Sequence, residues 1–149
     1  MGTTVSHTLQ IASPPERLLS TLRDIATYPE WQQDVESAEV VESDERARPL
    51  RARLVLSAIG MRVTQVLAFE HTEQQLVWRL VEGQEDAPIS RNDAVFQLAR
   101  TADGNTELQV RQDLEFRLKL PQSLARRIVE RRSTAMLRQL KSAVEKAQP

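Results

Sequence analysis

The 149-residue sequence contains no cysteine and only two histidines, His7 and His71. The absence of cysteine excludes disulfide bridges, thiol nucleophiles and thiolate metal ligands. The histidines are far apart in the chain, and no acidic residue lies at metal-ligand spacing from either, so neither a metal nor a cofactor is expected. Four glycines could hardly supply a phosphate-binding loop, and no such loop, dinucleotide motif or Ser-His-Asp order occurs.

Long apolar runs are absent as well, since no stretch approaches the roughly 18 residues that a membrane span needs. The start, MGTTVSHTLQ, lacks the basic and then apolar layout of a signal peptide, so a cytoplasmic location is expected. Hydrophobic content of 40% and charged content of 28% are typical of a globular protein. A chain of this length can bury roughly 70% of its unfolded surface, which predicts one domain over residues 1–149.

The net charge of −1 conceals an uneven distribution of charge. Residues 117–149 contain nine Lys or Arg and two Glu, so the rest of the chain is acidic. The basic segment could attract an anionic surface, yet the acidic body of the same protein is an equally available partner. Nucleic acid is therefore not expected as a partner.

The hydrophobic pattern predicts the order β-αα-β6-α. Alternation over Val5–Ile11 predicts a strand with one covered face. Ser13–Glu16 is a capping-box sequence that predicts a helix from about 14 to 26, and Thr27–Glu30 repeats this motif and predicts a second, short helix. Strand-like stretches follow at 35–44, 50–59, 61–71, 75–83, 93–101 and 106–118.

The last strand and the segment after it predict how the layers pack. Leu108, Val110, Leu114, Phe116 and Leu118 share one face of the strand, and polar residues occupy the other. A helix over 121–146 follows, with an apolar arc formed by Leu124, Ala125, Ile128, Val129, Ala135, Met136, Leu140 and Ala143. The economical α+β architecture is a curved antiparallel sheet that grips this terminal helix on its covered face.

This order and its motifs resemble the START/polyketide cyclase-dehydrase (SRPBCC) superfamily, whose helix-grip fold is shared with the birch-pollen allergen. The matching segments are IASPPERLLSTLRDIATYPEW, GMRVTQVLAFEH, QQLVWRL, DGNTELQV and LKSAVEKA. The chain is similar to bacterial polyketide cyclase/dehydrase and coenzyme-Q-binding-type members, whose Tyr-Pro-Glu-aromatic motif is matched by Tyr28–Trp31. The resemblance implies a curved seven-stranded antiparallel sheet, two short helices and a long C-terminal helix over a cavity for a lipid, isoprenoid, polyketide or aromatic metabolite.

Polar residues on predicted inward faces are the informative candidates for a ligand site. Arg132 falls near the middle of the helical arc, where it could anchor a ligand carboxylate, phenolate or carbonyl, pair with a sheet carboxylate, or extend over the core to solvent. Gln112 and His7 interrupt the covered faces of their strands, and Gln65 is a weaker case. They could line a polar spot, with His7 as an acid or base, or make ordinary core hydrogen bonds.

Large apolar residues facing the helix could line a cavity or simply fill the core. They are Leu54, Leu56, Phe69, Trp78, Phe96, Phe116, Ile128 and Met136. Aromatic residues make up only 4% of the chain, which favours an aliphatic chamber and lipid-like or isoprenoid ligands. Tyr28 and Trp31 are expected to close one end of the sheet and could border the mouth of the cavity.

Three functions are compatible with this sequence. The first is the binding, and possible transport, of a small apolar molecule, with no metal involved. The second is an enzyme of the aromatase/cyclase or dehydratase type, in which a shaped pocket folds a reactive chain. The third is a protein-interaction module. The basic residues outside the helical arc form a solvated face or touch anionic membrane lipid transiently during ligand loading.

Overall fold

The computed structural model describes residues 2–58, 60–83 and 87–146. The elements are β1 (Thr3–Ile11), α1 (Pro15–Arg23), a 3-10 turn (Ile25–Thr27), α2 (Tyr28–Trp31), β2 (Val35–Ser43), β3 (Pro49–Ala58), β4 (Met61–His71), β5 (Gln75–Gly83), β6 (Ile89–Arg100), β7 (Thr106–Phe116) and α3 (Gln122–Lys146). In this part of the chain the seven strands form one antiparallel sheet in the order β1-β7-β6-β5-β4-β3-β2. The predicted helix-grip fold is confirmed.

The sheet bends around the terminal helix. Register shifts interrupt the pairing of β2 with β3, of β4 with β5 and of β6 with β7, and such bulges bend and twist a strand locally. At one edge, β1 pairs with β7 from Thr3 opposite Leu114 to Ile11 opposite Thr106. Helix α3 lies mainly over β1 and also contacts α1, α2 and β7, so the core lies between α3 and the concave face.

The buried side of α3 differs from the predicted arc. Its fully covered residues are Ala125, Val129, Ser133, Leu137, Leu140 and Val144, which follow one another at three- or four-residue spacing. Ser133 is 1% exposed and lies on this line, whereas Leu124 is 39% exposed and Arg132 lies beside the line. The prediction was wrong in placing Arg132 near the centre, because the apolar arc was drawn without Ser133, which is polar but buried. A small serine fits where the helix packs tightly against the sheet.

Neither predicted capping box forms, although both helices do. The carbonyl of Pro14 accepts the first helical hydrogen bonds, from the N–H groups of Arg17 and Leu18, so the helix begins one residue later than the motif requires. The hydroxyl of Ser13 is buried without a hydrogen-bond partner in the described chain. Thr27 Oγ1 likewise donates backwards, to the carbonyl of Asp24 at 2.7 Å, instead of capping α2.

Several predicted boundaries also move. Helix α1 ends at Arg23 instead of 26, because the 3-10 turn begins at Ile25. Strand β6 begins at Ile89, four residues before the predicted start, and β7 ends at Phe116. Leu118, predicted on the covered face, lies beyond β7 and is 51% exposed. Residues 84–86, which lie between the predicted strands at 75–83 and 93–101, are outside the described residues.

Candidate functional site

A small cavity lies between the concave face of the sheet and the middle of α3, and its volume is about 60 Å3. Its lining residues are Tyr28, Gln32, Asp34, Val35, Leu54, Leu56, Leu67, Trp78, Asn92, Gln112, Arg132 and Met136. The cavity reaches the surface at Asp34, whose side chain is 51% exposed. Half of the predicted ligand-site residues therefore meet here, namely Arg132, Gln112, Leu54, Leu56, Trp78 and Met136.

The other predicted site residues lie away from this cavity. Phe69 and Phe96 are buried in the core around Trp78, and Phe116 is only partly buried. Ile128 is half-buried on the flank of α3. Ligand pockets usually measure about 300–1,000 Å3, so a 60 Å3 cavity has room for a few water molecules at most. Side chains fill most of the interior in this conformation.

A chain of buried amides and hydroxyls crosses the core beside the cavity. Ser133 Oγ on α3 donates to Gln112 Oε1 on β7 at 2.5 Å. Gln112 Nε2 in turn lies 3.5 Å from Asn92 Oδ1 on β6, and Asn92 Nδ2 donates to Gln65 Oε1 on β4 at 3.0 Å. Trp78 Nε1 on β5 also donates to Asn92 Oδ1, at 3.3 Å. We call these five side chains the amide ladder.

The amide ladder is neutral and almost saturated. Asn92 is its centre, since it contacts three of the other four members. Within the described residues, the one amide end of the ladder without a partner is Gln65 Nε2, which is buried. A buried donor without a partner costs roughly 1–3 kcal/mol. The ladder therefore fixes the positions of Asn92 and Gln112 in the cavity wall, and it retains one unused donor.

Arg132 links α3 to two neighbouring segments at the mouth of the cavity. Its Nη1 donates to the carbonyl of Ser57, near the end of β3, at 3.0 Å, and lies 3.5 Å from Asp34 Oδ2. Burial lowers the pKa of the Arg132 guanidinium, and the Asp34 carboxylate partly opposes this effect. The side chain is 24% exposed, so Arg132 covers the core with its stem and holds its charge at the cavity mouth.

His7 lies on the inward face of β1 but not in the cavity. Its Nε2 is 3.3 Å from Glu130 Oε2 on α3, and the Glu130 carboxylate is itself 3.9 Å from Arg126. His7 does not line the cavity with Arg132 and Gln112, because its ring faces Glu130 on α3 instead. An acid or base role for His7 in the cavity therefore has no geometric support.

Tyr28 both packs and lines the cavity. It is 1% exposed, and its hydroxyl donates to the carbonyl of Leu22 at 2.5 Å. Its ring centroid lies 5.1 Å from that of Trp31 and 6.5 Å from that of Trp78. Burial, followed by the nearby Asp24 carboxylate, raises the pKa of Tyr28 far above its usual value, so the phenol stays neutral. Trp31 packs against Tyr28 from outside the cavity lining.

Sequence reasoning missed two members of the amide ladder. Asn92 shares the covered face of β6 with Ala94, Phe96 and Leu98, but it lies just before the predicted start of that strand. Extending the predicted strand by one residue would have included it. Ser133 stands four residues from both Val129 and Leu137, and that spacing was the available signal. In both cases, the signal was a small or amide-bearing residue that stands among apolar residues on the covered face of its strand or helix.

The fold is that of the START superfamily. The chain aligns with a START superfamily protein from Mycobacterium smegmatis at a TM-score of 0.88 and 21% identity, covering 97% of this chain and 99% of that one. The Zhui aromatase/cyclase from Streptomyces sp. R1128 aligns at 0.80 and 22% identity, with 98% and 95% covered. A protein from Thermus thermophilus aligns at 0.79 and 22% identity, with 99% and 100% covered.

The sequence itself matches the family described as "Polyketide cyclase / dehydrase and lipid transport" over residues 2–145. The chain therefore belongs to this family. Among curated proteins no match to the sequence was found. In residues 2–58, 60–83 and 87–146 no group of three His, Cys, Asp or Glu could hold a metal ion. None of the helices in these ranges is both long and apolar enough to span a membrane.

Proposed function

We propose that this protein binds a small, mostly apolar molecule carrying a hydroxyl or carbonyl group, in the cavity between the sheet and α3. One observation carries the proposal. Asn92 and Gln112 stand side by side in a cavity wall that polar and apolar residues share, and their orientations are fixed by Ser133, Gln65 and Trp78. Fixed polar groups in an apolar pocket orient a ligand, while burial of its apolar surface supplies affinity at about 25 cal/mol per Å2.

The cavity must widen to accept such a molecule. Its mouth is held by the contacts of Arg132 with Ser57 and Asp34, and Asp34 is already half exposed. Met136 lines the same side of the cavity, and methionine side chains adapt to irregular volumes. Release of Arg132 would let the middle of α3 and the end of β3 separate. The bound state is therefore a wider conformation of the same interior.

Binding is favoured over catalysis by the ionisable groups at the cavity. Among its described lining residues, those with ionisable side chains are Tyr28, Asp34 and Arg132. The Tyr28 hydroxyl is engaged by a carbonyl and its pKa is raised, and Asp34 lies at the exposed mouth. A general base must reach the proton that it removes, and none of these groups is placed to do so inside the cavity.

The alternative function is that of a polyketide cyclase or dehydrase. The family description and the likeness to an aromatase/cyclase favour it. In such an enzyme this chain would contribute mainly positioning, with Arg132 and Gln112 donating to carbonyl oxygens of a folded substrate. Two other functions stay predictions. One is transient contact of the basic face of α3 with anionic membrane lipid, and the other is binding of a partner protein.

Native mass spectrometry of freshly purified protein tests the proposal first. A co-purified apolar molecule supports it. The polar wall is then tested by calorimetry with geraniol, an isoprenoid alcohol, and with myrcene, an isoprenoid hydrocarbon. Gln112→Leu is expected to weaken geraniol binding about tenfold and to leave myrcene binding unchanged, because one hydrogen bond is lost.

Gln109→Leu is the matched control. Gln109 lies on the same strand as Gln112 but on the exposed face, so this change should alter the binding of neither compound. Failure of wild-type protein to retain any apolar molecule, together with failure to bind both isoprenoids, would contradict the proposal.

A further inference from the structure

A second concavity lies at the other end of the sheet, beneath α1. It measures about 470 Å3 and shares no lining residue with the cavity. Its walls come from α1, the β2–β3 turn, the β4–β5 turn and the end of β6. Four of its lining residues are arginines, namely Arg23, Arg46, Arg48 and Arg100. We call this concavity the arginine groove.

The β2–β3 turn that presents two of these arginines is built by Asp44. One oxygen of the Asp44 carboxylate accepts from the backbone N–H groups of Arg46 and Arg48, both at 2.9 Å, and the other accepts from Arg48 Nε at 2.8 Å. Ala47 adopts a left-handed conformation in this turn, with φ of 63°. Asp44 thus fixes the turn and pairs with Arg48. The side chain of Arg46 is exposed and has no carboxylate partner among the described residues.

Arg23 lies in the groove and forms no ion pair with any residue that the structure describes. Its Nη2 donates to the carbonyl of Thr72 at 2.7 Å, while its Nε is buried and has no partner in the described chain. Burial and then the nearby Arg48 lower the pKa of Arg23, which Asp44 opposes. The pKa of His71 is lowered by burial first, and Arg23 and Arg48 lower it further. Three side chains on three elements therefore stand in a shared positive field.

The acidic residues of the groove do not cancel this field. Glu16 is paired with Arg100, and Asp44 is paired with Arg48. Glu73 also lines the groove, is exposed, and stands in the β4–β5 turn beside Thr72. It is the carboxylate that would oppose an incoming anion. When these two ion pairs are left out of the charge count, the groove keeps two positive side chains, Arg23 and Arg46, and one negative side chain, Glu73.

We propose that the arginine groove binds a phosphate monoester, with Arg23 and Arg46 donating to its oxygens. Two guanidinium groups that approach from different elements match a tetrahedral dianion, whose oxygens accept from several directions. Arg23 Nε supplies a buried donor that is otherwise unused, and the rigid β2–β3 turn presents Arg46. The same headgroup chemistry occurs in a free phosphorylated metabolite and in a phosphatidic acid lipid.

The test is calorimetric titration of the full chain with inorganic phosphate and with glycerol 3-phosphate, at constant ionic strength. Saturable binding is expected for wild-type protein. Arg46→Gln should weaken phosphate binding about tenfold, because one guanidinium donor to the phosphate is lost. Folding should not be disturbed, because the Arg46 side chain is exposed. Glu73→Gln should strengthen phosphate binding a few-fold, because the opposing charge is removed. Arg53→Gln, at an exposed arginine that pairs with Glu39 on β2, is the matched control and should change nothing.

A second arm separates the two sources of the phosphate. Vesicles of phosphatidylcholine with phosphatidic acid are sedimented with the protein, with and without glycerol 3-phosphate. Sedimentation that requires Arg46 and is displaced by the free monoester assigns the groove to a lipid headgroup. Solution binding that requires Arg46, without sedimentation, assigns it to a soluble monoester.

Two results would overturn the proposal. One is equal heat from phosphate and chloride, which would mean a general salt effect. The other is phosphate binding that Arg46→Gln and Glu73→Gln leave unchanged, which would place the anion elsewhere. Because these variants lie outside the cavity, loss of phosphate binding leaves the geraniol result untouched, and the two proposals fail separately.

Discussion

The cavity and the arginine groove differ in how their polar side chains are paired. In the amide ladder beside the cavity, neutral side chains bond to one another across four strands and a helix, and among the polar ends of the ladder described by the structure only Gln65 Nε2 is left over. In the groove, several charged groups lie close together, and among the described residues Arg23 donates to a backbone carbonyl and forms no ion pair. Removing a polar group from the cavity should therefore reduce stability, whereas removing one from the groove should reduce binding of an anion.

Asn92→Ala is the largest expected effect on the cavity side. It removes the centre of the amide ladder and leaves donors or acceptors on Gln65, Trp78 and Gln112 without their partner. Because buried polar groups without partners are costly and act together, we expect a loss of about 3 kcal/mol in the free energy of unfolding. Urea denaturation measures it.

The matched change is Gln97→Ala, on the exposed face of the same strand, which should stay within about 0.5 kcal/mol of wild type. A loss below about 1 kcal/mol for Asn92→Ala would show that the ladder positions groups without stabilising the fold.

Arg132→Met tests the mouth of the cavity. It keeps a long apolar stem over the core and removes the bond to Ser57 and the pairing with Asp34. We expect a loss of roughly 1 kcal/mol in stability, and faster uptake of an apolar fluorescent probe in stopped-flow measurements. Arg131→Met, at the exposed neighbouring position, should change neither. Unchanged uptake by Arg132→Met would mean that the mouth opens elsewhere.

The fold was predictable from the sequence because its signals are distributed over the whole chain. Seven strand-like stretches and two helical periods contribute to the prediction together, so an error at one residue does not change the architecture. Pro14 and Pro15 shifted the start of α1 by one residue and removed its capping box, yet the helix still formed. The helix-grip assignment needed only the order of the elements.

The candidate site was less predictable, because it depends on single residues and on contacts between distant segments. Gln112 stood out as a polar residue on an apolar face, but its partner Ser133 is a small residue on a helix 21 positions later. Arg132 was singled out as an unusual residue on the apolar arc of α3, but the buried line passes through Ser133, and Arg132 lies one residue away at its edge. Nothing in the sequence shows that Arg23 and Arg46 face one groove, since that follows from how α1 lies beside the β2–β3 turn.

His71 gives the smallest effect and reports on the groove side. Its Nε2 is bonded to the carbonyl of Pro49, and the groups around it are Arg23, Arg48 and Asp44. The folded protein lowers the pKa of His71, so folding favours the neutral ring. Its contribution to stability is therefore complete above the unfolded pKa of about 6.5 and is lost as the pH falls through and below that value.

The stability of wild-type protein relative to His71→Gln should accordingly fall between pH 7 and pH 5, as measured by urea denaturation across this range. If phosphate occupies the arginine groove, it neutralises part of the field of Arg23 and Arg48, so added phosphate should flatten this difference in wild-type protein. In an Arg46→Gln background phosphate should lose most of that influence. A difference that does not depend on pH would mean that the folded protein does not lower the pKa of His71, and a pH dependence that phosphate leaves unchanged would mean that burial alone, and not the guanidinium groups, lowers it.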